Sequence, residues 1–494
     1  MKRIGHFIGG QRTGEFGRTA PVYDPATGVQ TGEVGLADVA EVDQAVAAAA
    51  AAFGEWRHSS LTTRSRVLFA FRQLVDEHRQ ELAALATAEH GKVLSDAAGE
   101  VARGLECVEF ACGIPQLLKG GHSAQAATGV EVHELKQPLG VVAGVTPFNF
   151  PVMVPLWMIP NAIASGNTFV LKPSEKDPSA ALLIAALLKD AGLPDGVFNV
   201  VQGDAVAVDR LLDHPDVEAV SFVGSTTVAR HIYERGAAAG KRVQALGGAK
   251  NHMVVLPDAD VEMAADAAVS AAYGSAGERC MAVSVVVAVG AVADPVVDAV
   301  NKRIAKLRIG AGADPESEMG PLVTRAHRDK VASYLDIAAA EGAKVVVDGR
   351  EQPFDGDGFF LGASLVDYVQ PDMQVYQDEI FGPVLCVVRA DTAQQAIDIV
   401  NANRYGNGAA IFTRDGGAAR RFQHDVSVGM VGVNVPIPVP VAYFSFGGWK
   451  DSLFGDSHMY GPEGVHFYTR TKVVTSRWPD PSTSQVDLGF PTHR

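Results

Sequence analysis

The stretch Gly274-Ser275-Ala276-Gly277-Glu278-Arg279-Cys280-Met281-Ala282 holds the side chain with the clearest chemistry in this sequence. Small residues around Cys280 let a substrate carbon reach the sulfur, and the adjacent Arg279 guanidinium favours thiolate over thiol. Unassisted, a cysteine titrates at about 8.5 and is only a few per cent ionised at neutral pH. A buried structural cysteine reads the same way in isolation, since free cysteine is among the most buried residue types. Three further loci carry polar signals. Glu218-Ala-Val-Ser-Phe-Val-Gly224-Ser225-Thr226 runs from a strand through a glycine turn into a helix, and such a turn aims free N–H groups at an anion such as a pyrophosphate. An ordinary helix cap explains it equally well, because the GxGxxG spacing is absent. Leu171-Lys172-Pro173-Ser174-Glu175 ends another strand with a cation and a carboxylate, suited either to ribose hydroxyls or to plain solvation. Glu379-Ile380-Phe381-Gly382-Pro383 sets a carboxylate beside a rigid turn.

The elements that position these residues follow from hydrophobic periodicity. Short apolar runs predict strands over 139–146, 167–172, 197–202, 218–223 and 242–246. Helical patterns over 177–191, 206–213 and 227–235 separate them, which implies a parallel sheet with right-handed crossovers and a ligand crevice at the strand carboxyl ends. Upstream, 38–56 and 62–90 read as long, Ala-rich amphipathic helices. Residues 137–171 contain no Asp, Glu, Lys or Arg, yet Pro147, Pro151, Pro155 and Pro160 interrupt them. A buried strand, loop, helix and strand is therefore expected, with no membrane span. The polar tail after Trp478 reads as an arm.

Composition excludes several classes. The net charge of −15 and the absence of a Lys/Arg-rich run argue against nucleic-acid binding. Four cysteines, Cys107, Cys112, Cys280 and Cys386, form neither a disulfide framework nor a zinc spacing, so no metal is expected. Cys107 and Cys112 read as small apolar packing in a helix. The N-terminal stretch lacks an apolar signal region, and a reducing cytoplasm fits best.

Taken in order, Thr146-Pro147-Phe148-Asn149-Phe150-Pro151, Leu171-Lys172-Pro173-Ser174-Glu175, Phe222-Val223-Gly224-Ser225, Leu246-Gly247-Gly248, Cys280, Glu379-Ile380-Phe381-Gly382-Pro383 and Phe444-Ser445-Phe446-Gly447-Gly448 resemble the aldehyde dehydrogenase superfamily. The resemblance spans nearly the whole chain. It implies an α/β fold: a Rossmann-like dinucleotide-binding domain (1–121 and 140–248), an α/β catalytic domain (249–450) and a small β oligomerisation element (122–139 and 467–494). It further implies NAD as cofactor and a homo-oligomer, dimer or tetramer. Carried over, Cys280 is the nucleophile, and the Asn149 amide with the Cys280 N–H forms the oxyanion hole. Such a donor is worth about 10²–10³ in rate. Lys172 and Glu175 would face the adenosine ribose, Gly224 and Ser225 the pyrophosphate, and Glu379 the nicotinamide ribose. Thr146, Pro147, Phe148, Leu246 and Phe381 complete the implied cofactor-binding set.

One departure matters more than these matches. Hydrolytic relatives place a general-base Glu immediately before Leu-Gly-Gly, where this sequence has Ala245. Alanine cannot move a proton, so release of an acyl-cysteine by the thiol of coenzyme A is favoured over release by water. Ala229, where many relatives have glycine, is expected to alter only packing or cofactor placement. The Glu278-Arg279-Cys280-Met281-Ala282 stretch and Glu100-Val101-Ala102-Arg103-Gly104-Leu105-Glu106 are similar to the CoA-acylating methylmalonate-semialdehyde dehydrogenase branch. That likeness implies a small carboxylated aldehyde whose carboxylate is held by Arg103 and Arg279, a geometry suited to planar bidentate donors. Either arginine also suits an ion-pair role. The implied sequence of events is thioester formation on Cys280, decarboxylation and transfer to CoA. The competing readings are a hydrolytic enzyme with its base elsewhere, revealed by turnover without CoA, and a catalytically silent binding or structural member of the family, revealed by failure to bind NAD.

Overall fold

The computed structural model describes every residue except 15, 484, 487 and 489–494. Five strands predicted from apolar runs lie side by side in the order Arg242–Leu246, Val217–Val223, Val141–Val145, Thr168–Lys172, Phe198–Val200, all paired in parallel. Each predicted strand end falls within two residues of the observed one. Antiparallel edges, Leu453–Phe454 on one side and Phe7–Ile8 with Gln11–Arg12 on the other, extend the sheet to eight strands. Its five parallel strands start in the middle, at Val141–Val145, and run outward to Phe198–Val200. The chain then returns to Val217–Val223 on the other side. The order reverses between Val141–Val145 and Val217–Val223, and ligand crevices of open α/β sheets form at such points.

The intervening helices, Ser179–Asp190, Ala205–Asp213 and Thr226–Ala238, occupy the predicted stretches, the last running three residues further. Upstream, Val39–Trp56 starts at a capping box: Asp38 accepts from the Glu41 N–H, and Glu41 accepts from the Asp38 N–H. The single helix expected over 62–90 is two helices, Leu61–Glu77 and Arg79–His90. His78, at φ −96° and ψ 12°, re-aims the chain between them, and no glycine or proline marks the break.

The uncharged stretch forms Val141–Val145, Met153–Ala164 and Thr168–Lys172, every residue of which is buried. Among the described residues, no helix is long and apolar enough to cross a membrane. Pro160 lies inside the central helix.

A second sheet of seven strands runs Lys344–Val347, Ser364–Asp367, Val384–Ala390, Val283–Val289, Asn251–Val255, Gly408–Phe412, Met430–Val433, parallel except at its first pair. The chain leaves the first sheet at Leu246 and begins the second at Asn251. The carboxyl ends of the first sheet's strands therefore meet the amino ends of the second's. His122–Ala127, Val130–Pro138 and Thr469–Arg477 form a separate three-stranded antiparallel sheet. The predicted arm beyond Trp478 lies partly outside the described residues.

Candidate active site at the seam between the sheets

Cys280 is delivered by an unusual turn. The helix Val261–Tyr273 stops at Gly274, and Ser275, Ala276 and Gly277 then take left-handed conformations at φ 53°, 52° and 76°. Two non-glycine residues in that region cost of order 1–3 kcal/mol each, and surrounding contacts must hold them there. At Gly277 a side chain is impossible, since a Cβ would lie 2.3 Å from the Gly382 carbonyl oxygen. After the turn, the Cys280 carbonyl accepts from the side-chain amides of Asn251 (2.9 Å) and Asn407 (3.1 Å). The Cys280 backbone is thus fixed by one residue on a strand of the second sheet, Asn251, and by Asn407, which immediately precedes another.

Asn149 reaches Cys280's neighbourhood from the first sheet. Its Nδ2 donates to the Glu278 carbonyl at 3.1 Å, using one of two amide protons and leaving the other for a ligand. Its loop is clamped by a buried ion pair. Lys92 Nζ donates to Glu100 Oε2 (2.8 Å) and to the Asn149 carbonyl (2.5 Å). Glu100 Oε1 accepts from the Val152 and Met153 N–H groups. Both Lys92 and Glu100 have fully buried side chains.

The thiol's electrostatics differ from the sequence expectation. Burial pushes the Cys280 thiol up to about 12, the Glu379 carboxylate adds to the rise, and Arg279 opposes it only weakly. Arg279 is already engaged: its Nη2 donates to Asp96 Oδ1 at 2.6 Å. In this conformation Arg279 does not hold the thiol ionised, because desolvation outweighs a guanidinium whose charge Asp96 offsets. Glu379 itself is pushed up to about 7 by burial. Its Oε1 accepts from the Ala249 N–H at 2.7 Å, and Gly248 makes room, since a Cβ there would meet Oε2 at 2.3 Å.

Strand alternation corrects the reading of the missing base. Ala245 faces the helix-covered side of the first sheet, packed with Phe222, Ala229, Ile232 and Val243. Leu246 points the other way, into the cluster that contains Met281 and against which Cys280 packs. The residue on the thiol's side is therefore Leu246, and leucine, like alanine, cannot take a proton. Ala229 is fully buried in the same helix-side cluster.

Cys280, Arg103 and Arg279 line one cavity of 320 Å³ together with Asp96, Phe150, Trp157 and Phe446. Phe150, Trp157 and Phe446 give this lining its apolar rings, and Arg103 and Arg279 its cations. Arg103 is held by Glu106 (2.8 Å) and the Pro440 carbonyl (2.8 Å). Sequence reasoning missed Asp96, although Asp96, Glu100 and Arg103 share one face of the helix Leu94–Cys112 at spacings of four and three. That charged face was the available signal. Cys107 and Cys112 are buried on the same helix, and all four cysteines are free.

The remaining candidates gather at the strand ends of the first sheet. Lys172 Nζ donates to the Gly203 carbonyl (2.9 Å) and lies 3.5 Å from Glu175, its pKa lowered by burial. The Gly224 N–H donates to the Leu246 carbonyl (3.1 Å), and Ser225 starts the next helix without a side-chain cap bond, leaving helix N–H groups free. Thr146 Oγ1 is buried without a hydrogen-bond partner at the end of the switch-point strand. Pro147 follows it in the loop to Asn149. Phe148 and Phe381 meet edge to face at 5.9 Å, with Phe381 in the left-handed region at φ 57°.

The chain is similar to known proteins over nearly its whole length. Residues 12–474 match the model of the aldehyde dehydrogenase family. The malonate-semialdehyde dehydrogenase of Pseudomonas aeruginosa is 54% identical over 496 residues, covering 100% of both chains. Malonate-semialdehyde dehydrogenase 2 of Geobacillus kaustophilus is 49% identical over 480 residues, covering 97% of this chain and 99% of its own. The crystal structure of methylmalonate-semialdehyde dehydrogenase from Oceanimonas doudoroffii has a TM-score of 0.96 at 54% identity, covering 98% of this chain and 99% of that one. A Sinorhizobium meliloti structure complexed with NAD matches equally well, with TM-score 0.96 at 49% identity and the same coverage. By sequence and by fold, the chain belongs to the aldehyde dehydrogenase family.

Proposed function

We propose that this protein oxidises malonate semialdehyde, or its methyl homologue methylmalonate semialdehyde, with NAD and coenzyme A. The products are acetyl-CoA or propionyl-CoA, carbon dioxide and NADH. The observation that carries this reading is the single cavity shared by the Cys280 thiol and two guanidiniums. A reacting aldehyde with a carboxylate two carbons away asks for that pairing.

The strand-end residues fit a dinucleotide. Lys172 and Glu175 would hold the adenosine ribose, the free N–H groups behind Gly224 and Ser225 the pyrophosphate, and Glu379 the nicotinamide ribose. Thr146, Pro147, Phe148, Leu246 and Phe381 line the rest, and the unpartnered Thr146 hydroxyl supports a polar occupant. NAD held by these residues would supply the hydride acceptor for the aldehyde carbon. The protein's own residues do the rest. The Cys280 thiol gives up its proton to solvent as its sulfur adds to that carbon, and Asn149 Nδ2 with the Cys280 N–H receives the charge developing on oxygen. After oxidation the acyl group is a thioester on Cys280. Cleavage of the bond to its β-carboxylate releases carbon dioxide, leaves the electron pair on the thioester enolate, and a proton then restores the carbon. The CoA thiolate attacks the carbonyl, and Cys280 leaves as thiolate.

Hydrolysis is the second reading, and one observation favours it: Glu379, whose carboxyl burial raises to about 7, acts electrostatically on Cys280 and is a candidate carboxylate for a water. Turnover without CoA that is lost in Glu379→Gln would establish it. We further assign 1–121 with 140–248 to cofactor binding, 249–450 to catalysis, and 122–139 with 467–494 to homo-oligomer contact. The exposed Leu135 and Val473 on the three-stranded sheet support that last role. The sequence features support action in the cytoplasm.

A further inference from the structure

Arg279 occupies a seat that two residues outside the catalytic set create. We propose that Gly274 and Asp96 are positioning residues that fix the Arg279 guanidinium and thereby set selectivity for carboxylated aldehydes. The inference rests on the reading that Arg279 receives the substrate carboxylate.

Gly274 has φ −54° and ψ 134°, a conformation open to any residue, so its identity is not dictated by the backbone. Space dictates it. A Cβ on Gly274 would lie 2.5 Å from Arg279 Nη1, 2.6 Å from Cζ and 2.7 Å from Nη2, its three nearest neighbours. The guanidinium plane therefore lies on the bare Gly274 backbone. Asp96, in the first turn of the helix Leu94–Cys112, holds the same group through Nη2 at 2.6 Å. The second oxygen of Asp96, Oδ2, is buried and unpartnered, so Asp96 has no other side-chain duty.

This seat has a directional consequence. Arg279 and Asp96 line both the 320 Å³ cavity of the thiol and a second cavity of 490 Å³ on the far side, bordered by Tyr273, Ser275, Arg303 and Lys306. A long arginine at such a partition has room on either side. Gly274, which borders the second cavity, and Asp96, which borders both, fix one place for it at the partition, with donors besides Nη2 left for a carboxylate. Because Asp96 offsets the charge, recognition depends on where the donors point and little on net attraction.

The test compares Gly274→Ala, Asp96→Asn and Arg279→Leu on malonate semialdehyde and on propanal, with NAD and CoA saturating. Gly274→Ala should raise KM for malonate semialdehyde about tenfold, the effect of displacing one charged hydrogen-bond donor. Its kcat/KM on propanal should stay within about twofold, the scale of a surface-neutral change. Asp96→Asn should likewise raise KM for malonate semialdehyde while leaving kcat/KM on propanal within about twofold. In the Arg279→Leu background, Gly274→Ala should add nothing, because the group it displaces is gone. Equal losses on both substrates, or a further loss in the Arg279→Leu background, would overturn the seat and assign Gly274 to the Cys280 turn. If Arg279→Leu discriminates and Gly274→Ala does not, the seat fails and the carboxylate reading stands. If Arg279→Leu itself fails to discriminate, the carboxylate reading fails with it.

Discussion

At the residue scale, the chemistry is set by what surrounds each titratable group. Cys280 carries its proton in the free enzyme, because burial and Glu379 together outweigh Arg279. Alkylation of the NAD-free enzyme by iodoacetamide should therefore be slow at pH 7 and rise about tenfold per pH unit through pH 9, following the thiolate fraction. A plateau near pH 7–8 would mean that the thiol ionises early. Glu278 is the other instructive group. Burial raises its carboxyl to about 8, and His90 Nε2 at 3.7 Å is neutral because burial drives its own pKa well down. Between about pH 4.5 and 8 the folded protein keeps a proton that the unfolded chain has lost, so this group's contribution to stability falls as pH rises, by up to about 1.4 kcal/mol per unit. Glu278→Gln removes that fall. Its unfolding free energy relative to the parent should climb between pH 5 and 7, and parallel curves would contradict the assignment. Cys280, Asn149, Lys172 and Glu379 were legible in the sequence because their motifs are short and ordered. The side facing the thiol was not: one step along a strand flips a side chain, and motif spacing pointed to Ala245 where the sheet presents Leu246.

At the element scale, the parallel strands were legible because apolar runs separated by helical periodicity admit few other arrangements. The break at His78 was not, since a single ψ of 12° leaves no mark in composition. The Lys92–Glu100 pair was equally invisible, because it joins a loop to a helix and matters through a third segment, the Asn149 loop. Lys92→Met leaves Glu100 buried without its cation, and urea unfolding should show a loss of about 3–5 kcal/mol. A loss below about 1 kcal/mol would mean that Glu100 is satisfied by the Val152 and Met153 N–H groups alone.

At the scale of the whole molecule, the active site exists only where one sheet's carboxyl ends meet another's amino ends. Residues far apart in sequence, Asn149 with Glu278 and Ala249 with Glu379, close that seam. The two-residue antiparallel strands Phe7–Ile8 and Leu453–Phe454, drawn from opposite ends of the chain, were beyond sequence periodicity because they are too short to show one. Among the described residues, Thr469–Arg477 is an edge strand of the three-stranded sheet, with Val473 60% exposed. Val473→Glu should lower the mass seen by light scattering toward the monomer, and an unchanged mass would remove this sheet from the oligomer contact. The central claim concerns the fate of the acyl group, which no single residue decides. It is tested most directly by following NADH formation from malonate semialdehyde over many turnovers, with and without CoA. CoA-dependent turnover yielding acetyl-CoA is the predicted result, and steady turnover to free acid without CoA would contradict it.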